Sequence, residues 1–254
     1  MTVIEVTSLS RANDLSLVAL ADLASAAAEA NLDHRIIGGQ MVTLHLHLAG
    51  VHGQVPERET ADADAGVPRS ITDLDELTAL VTALTERGYE QIRGDRFERS
   101  ADGAIIDLLV PSYTSRRRHN VVVGPLVATE AGGLTHALAQ PPTVVTVAAT
   151  LSDGAAHGPI EVRLPSLRAA IAIKAHAWND RRVDSDALDL ARLLYAADVT
   201  GLGPDDFTGP VALRHASEII RGAFRLTSGA GTTAAYRDPM DRAELAALCL
   251  RVFG

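Results

Sequence analysis

The sequence predicts an α+β protein, with a mixed sheet and its helices in residues 1–164 and a helical domain in residues 165–254. Three observations predict it. Short apolar runs of strand length, punctuated by Gly, Pro or Asp, recur through the first part. Stretches rich in helix formers, at residues 15–30 and 72–87, lie between them. Beyond Leu164 the strand pattern ends and helix follows helix, which places the domain boundary there.

Residues 15–30 (LSLVALADLASAAAEA) carry apolar side chains on more than one face, as a buried or interface helix does. Arg35-Ile36-Ile37 reads as a short strand ending at Gly38-Gly39. Paired glycines let the backbone turn sharply and approach a ligand, and N–H groups at a helix start can hold a phosphate, although most such pairs are only turns. In MVTLHLHLAG the alternation suits a strand and the preceding glycines suit a helix; helix is the expectation. Residues 72–87 open on capping residues and stop at Gly88, as a helix does. Residues 89–99 are expected to pair with the next strand through the Asp102-Gly103 turn. That strand, residues 104–110, is apolar except for Asp107. Residues 121–140 and 141–151 read as irregular segments and a buried strand, and residues 158–164 as an edge strand. In the second domain Ser166 is the expected N-cap of one helix and Asp184 opens the next. Residues 211–224 and 241–252 are packing helices, with GAGTTA between them as a loop.

The 254 residues carry 23 Lys and Arg against 32 Asp and Glu, a formal net charge of −9, which argues against general nucleic-acid binding. A single cysteine, Cys249, in an apolar helical stretch excludes an intramolecular disulfide. The N-terminus lacks the basic and apolar regions of a secretory signal, and no apolar run reaches the roughly 18 residues of a membrane span. The expectation is a cytoplasmic protein with no membrane partner.

The chemistry concentrates on Arg58-Glu59-Thr60-Ala61-Asp62-Ala63-Asp64. On a strand Asp62 and Asp64 share a face, and two adjacent carboxylates without a counter-charge repel, so such a pair favours a cation, with magnesium the natural candidate. A polar turn is the alternative, since Asp, Ala and Gly66 also suit a loop. Asp107 in its apolar strand needs a partner, or a solvated strand end. Lys174, Ala177, Trp178 and Arg181 share one helical face, so the two cations stand about 10 Å apart along the axis and could span a nucleotide's phosphates. Asp186 and Asp189 share a face of the following helix. His45, His47 and His52 suggest a metal cluster at first sight, but packing histidines are the stronger expectation. The run Arg116-Arg117-Arg118-His119 suits a solvated loop, or contact with nucleotide or RNA phosphates.

Taken together, Gly38-Gly39, the R-x-T-x-D-x-D run, Asp107, and the K-x-x-A-x-x-x-R and D-x-x-D-L pairs resemble the AbiEii-type nucleotidyltransferases, toxins of bacterial toxin–antitoxin and phage-abortive systems within the polymerase-beta-like nucleotidyltransferase superfamily. The resemblance spans roughly residues 36–194. It implies a nucleotidyltransferase fold in the first domain and a helical domain that completes the nucleotide site. It further implies that Asp62 and Asp64 bind Mg2+, and that Asp107 is a third carboxylate, as metal ligand or base. Gly38 and Gly39 would form the phosphate-side turn, with Arg58 and Arg181 beside the nucleotide. Lys174 would contact phosphates, and Asp186 or Asp189 would complete the C-terminal motif. The implied reaction moves a nucleoside monophosphate from a nucleoside triphosphate to a hydroxyl of RNA, in particular tRNA, or of a protein, and the resemblance allows an antitoxin partner. The alternatives are a small-molecule acceptor, as in antibiotic-modifying nucleotidyltransferases, and an inactive binding module. Gln40 after the glycines, a long connection from Gly39 to Asp62, and alanines flanking the aspartates depart from the family pattern.

Overall fold

The computed structural model describes residues 2–113 and 117–254, with Ile71 described in its backbone alone. In chain order the first elements are β1 (Thr2–Thr7), α1 (Arg11–Glu29), β2 (Arg35–Ile37), α2 (Gly38–Leu48), β3 (Asp62–Gly66) and α3 (Leu74–Glu86). Next come β4 (Tyr89–Arg93), β5 (Arg96–Arg99), β6 (Ile105–Pro111), β7 (Val121–Val123), β8 (Leu126–Ala131), α4 (Leu134–Leu138), β9 (Thr143–Thr150) and β10 (Ala156–Leu164). The rest is helical: α5 (Leu167–Arg181), α6 (Asp184–Val199), α7 (Val211–Phe224), α8 (Ala230–Ala235) and α9 (Pro239–Phe253). The chain is thus α+β, and none of its described helices is long and apolar enough to cross a membrane.

Two compact units form. One takes residues up to 41 with 58–131 and 138–165, and the other takes 42–57, 132–137 and 166–254. The first unit holds the sheets. In the larger one, the strand order is β2-β3-β6-β5-β4, and β8 also joins β6. β6 is its centre, since its sequence Ile-Ile-Asp-Leu-Leu-Val-Pro is apolar except for Asp107, as a strand covered on both faces requires. β3 and β8 run parallel to β6, whereas β5 is antiparallel to it. The other sheet is β1-β9-β10, with β1 parallel and β10 antiparallel to β9. Helix α1 begins where the Ser10 side chain accepts from the Asn13 N–H, and buries Leu17, Leu20 and Leu23 against neighbours that include β3, β6 and α3.

Several expectations are revised. Residues 89–99 are two strands, because Gly94, at φ 48°, turns the chain before β5 begins. The Asp102-Gly103 turn then joins β5 to β6, with the Gly103 N–H donating to the Arg99 carbonyl at 2.8 Å. Residues 121–140, expected to be largely irregular, contain the β7–β8 hairpin and α4. The edge strand begins at Ala156, and GAGTTA contains the start of α8. MVTLHLHL is helical, as expected, and its apolar residues Met41, Val42, Leu44 and Leu46 are all buried.

In the second unit α5 packs on α6 and α7, and α6 on α8 and α9. The Ser166 side chain caps α5 by accepting from the Ala169 N–H at 3.4 Å. Buried alanines at 169, 170, 172 and 175 keep α5 narrow, and Gly133 comes so close that an added Cβ would lie 3.1 Å from the Ile173 nitrogen. His47 and His52 stack with ring centroids 3.8 Å apart, a packing arrangement.

Burial first, and then the neighbouring His52, push His47 down from 6.5 to about 4. The unfolded chain therefore takes up this proton at higher pH than the folded one. Its contribution to stability is full above about pH 6.5, falls as pH drops from there, and is lost by about pH 4. We expect the melting temperature of the wild type to fall more steeply between pH 7 and pH 4.5 than that of His47→Asn. Parallel profiles in differential scanning calorimetry would contradict this.

Candidate functional site

The register of β3 on β6 builds the site. Asp62 and Asp64 point to one face of β3 and are half-buried, while Ala63 and Ala65 point to the other and are fully buried. Parallel pairing places Asp64 opposite Asp107 of β6. One carboxylate oxygen from each of Asp62, Asp64 and Asp107 lies within 4.8 Å of the others, the one group of this kind among the described residues. A hard divalent cation such as Mg2+ takes oxygen ligands of this type, so the donor set fits it.

A residue that sequence reasoning missed completes the cluster. Arg96 of β5 stands opposite Asp107 across the antiparallel β5–β6 pair. Its Nε donates to Asp107 Oδ1 at 2.9 Å and its Nη2 to Asp107 Oδ2 at 2.7 Å. The same Nη2 reaches Asp62 Oδ2 at 3.4 Å. Burial pushes the Asp107 carboxyl above its ordinary range, and the Arg96 guanidinium opposes that shift. Arg96 is in turn held more firmly protonated, chiefly by its hydrogen bonds to Asp107. Alternation on β5 offered a faint signal, since Phe97 is buried and Arg96 must face the other way.

The two glycines are required by contact. Gly38 has φ +71°, and a Cβ there would lie 1.8 Å from Asp64 Oδ2. A Cβ on Gly39 would lie 2.8 Å from Thr60 Oγ1 and 3.2 Å from Arg58 Nη1. The Thr60 hydroxyl donates to Asp62 Oδ1 at 3.1 Å, so the R-x-T-x-D-x-D run folds back on itself beside the glycines. Gln40 is held by structure, because its Nε2 donates to Ser16 Oγ at 2.7 Å, and that hydroxyl donates to the Asp62 carbonyl at 2.8 Å. α1 and α2 are thereby tied to the strand that carries the aspartates. The flanking alanines belong to the same design, because buried Ala63 and Ala65 let α1 pack closely on β3.

The basic and acidic pairs expected on the second domain meet one another within the second unit. Lys174 Nζ donates to Asp189 Oδ2 at 2.7 Å and lies 3.8 Å from Asp186 Oδ1. Arg181 donates through Nε and Nη2 to Asp186 at 2.9 and 2.7 Å, and Arg192 Nη1 lies 3.4 Å from Asp189 Oδ1. Lys174, Asp186, Asp189 and Arg192 are all buried. In the basic run, Arg116 lies outside the described residues. Arg118 donates through Nε and Nη2 to the fully buried Glu130, at 3.0 and 2.6 Å, and Glu130 also accepts from Arg69 and Ser112. These arginines hold the Glu130 carboxyl below its ordinary range against the effect of burial.

No protein-family model and no curated protein matches the chain. Among solved structures it is similar to an antigenic nucleotidyltransferase-like protein from Paracoccidioides brasiliensis, at 17% identity and a TM-score of 0.46, over 96% of this chain and 94% of that one. It is also similar to the antibiotic-resistance factor ANT(2'')-Ia, at 18% identity and a TM-score of 0.31, over 91% and 89% of the two chains.

Two variants probe this geometry. Gly38→Ala forces a Cβ onto the Asp64 carboxylate and strains a left-handed backbone, so we expect it to fold less stably by about 1–3 kcal/mol and to bind Mn2+ more weakly. Unchanged Mn2+ affinity would show that Asp64 does not face the glycine as described. Lys174→Ala takes the ammonium away from two buried carboxylates, and we expect it to lose about 3 kcal/mol in denaturant unfolding. A loss below about 0.5 kcal/mol would mean that these pairs do not explain the lysine's burial.

Proposed function

We propose that the protein is a metal-dependent nucleotidyltransferase that moves a nucleoside monophosphate from a nucleoside triphosphate to an acceptor hydroxyl. The observation that carries this reading is the convergence of Asp62, Asp64 and Asp107 at the end of a glycine turn that also faces Arg58 and Thr60. That convergence is what the resemblance of the R-x-T-x-D-x-D run implies. Asp62 and Asp64 hold the divalent metal, with Mg2+ as the proposed ion. When bound, it neutralises phosphate charge and aligns the entering and leaving oxygens.

The chain's own groups do the rest. Asp107, which the register sets opposite Asp64, accepts the acceptor hydroxyl's proton. The hydroxyl oxygen then bonds to the α-phosphorus, the bond from that phosphorus to the oxygen bridging to the β-phosphate breaks, and pyrophosphate leaves with the bonding pair. The N–H of Gly39 and the Arg58 guanidinium receive phosphate oxygens. In the helical unit Arg181 has the more exposed side chain and Lys174 the more buried one. Lys174 and Asp189 hold α5 to α6, and Asp186 orients Arg181.

The finer proposal is an AbiEii-like toxin with an RNA or protein acceptor. It is supported by the order of the motifs. Gln40 does not mark a lost site, because its bond to Ser16 accounts for the residue.

The test is incubation with Mg2+ and each of four α-labelled nucleoside triphosphates, with and without total tRNA, alongside Asp64→Asn. We expect label to enter RNA or protein with the wild type, and transfer to fall about a hundredfold or more in the variant while its melting temperature is kept. Equal turnover in Asp64→Asn would sink the assignment. Nucleotide binding without label transfer would favour a small-molecule acceptor, and neither binding nor transfer an inactive module.

A further inference from the structure

A part for Arg96 rests on the reading just given and goes beyond it. Carboxylates that ligate a metal are ordinarily hydrogen-bonded in turn by outer groups. Here one carboxylate, Asp107, has both oxygens engaged by a guanidinium, in the parallel two-bond geometry that is the strongest form of this pair. The arrangement is fixed by the sheet. Arg96, Asp107 and Asp64 form one row across β5, β6 and β3, set by backbone register. The guanidinium also reaches Asp62, so it lies among the carboxylates and not behind them. Its side chain is 27% exposed, against 12% for Asp107. It therefore has a path to solvent, and Asp107 has much less.

We propose that Arg96 is a built-in counter-cation that takes the place of one metal ion's charge. It cancels one carboxylate charge, fixes the orientation of Asp107, and repels a second divalent ion from that side of the cluster. The site then takes one divalent ion firmly, through Asp62 and Asp64. A second enters only when the Arg96–Asp107 pair opens. Arg96 is a positioning residue for Asp107, and it sets metal stoichiometry.

The test is titration with Mn2+ alone, read by calorimetry and by the electron paramagnetic resonance signal of free Mn2+, on wild type, Arg96→Gln and Arg96→Lys. We expect one firm Mn2+ per wild-type chain. Arg96→Gln should gain a second ion, or bind at least about tenfold more tightly. Arg96→Lys, which keeps the charge, should retain the wild-type stoichiometry. Because Arg96→Gln leaves Asp107 without its guanidinium, it will melt at a lower temperature without metal, and saturating Mn2+ should raise its melting temperature more than that of the wild type. Unchanged or weaker Mn2+ binding in a folded Arg96→Gln protein overturns the proposal while leaving the metal site itself standing. Absence of Mn2+ binding in all three proteins overturns both. Label transfer does not enter the measurement, so loss of the nucleotidyl-transfer reading alone shows up only in the nucleotide assay.

Discussion

The register of β3 against β6 is the constraint from which the site follows. Parallel strands have no hairpin to set their alignment, and a slip of one residue would turn every side chain to the opposite face. In this chain such a slip would bury Asp62 and Asp64 where Ala63 and Ala65 now sit. The cost of burying two carboxylates therefore specifies the register, and the register places Asp64 beside Asp107. Three carboxylates gathered by a hydrophobic requirement repel one another, and the antiparallel β5 supplies Arg96 against them. Fold and site are consequences of the same pairing.

Small residues make the close approach tolerable. Gly38 is the one residue type that leaves room for the Asp64 carboxylate, and Gly39 leaves room for Thr60 and Arg58. Ser16 and Gln40 then form a hydrogen-bonded bridge from two helices to the backbone of Asp62. Loss of that bridge would strand polar groups that lie within the packed interior, which is why a glutamine is held there. The second unit uses a different device, a buried network of Lys174, Asp186, Asp189 and Arg192 in which each charge has an opposite neighbour. Removing one partner from such a network leaves a buried charge unpaired, which is what makes each member hard to replace singly.

Much of this was legible in the sequence where the signal is local. Alternation gave the shared face of Asp62 and Asp64, the apolar run gave the strand of Asp107, and the conflict between its charge and its surroundings gave the need for a partner. Ser166 as a cap and residues 211–224 as a helix came from equally local rules. The partner itself was not legible. Arg96 meets Asp107 only through a hairpin turn at Gly94 and the Asp102-Gly103 turn together, and neither reveals which residues end up opposite. β1 pairs with β9 across some 140 residues, a contact that no local pattern encodes. Arg118 keeps about half of its side chain exposed, as a solvated loop residue does, but its partner Glu130, which the β7–β8 hairpin folds back beneath it, was not legible.

If Asp62 and Asp64 hold a catalytic metal beside a nucleotide's phosphates, manganese will report its own position. Crystals grown with Mn2+ and a nucleoside triphosphate analogue that cannot be cleaved at the α-phosphate would show it through the anomalous signal. We expect a peak coordinated by Asp62 and Asp64, with phosphate oxygens on the Gly39 N–H and Arg58. A manganese peak elsewhere, or nucleotide bound away from β3 with none at the aspartates, would contradict it.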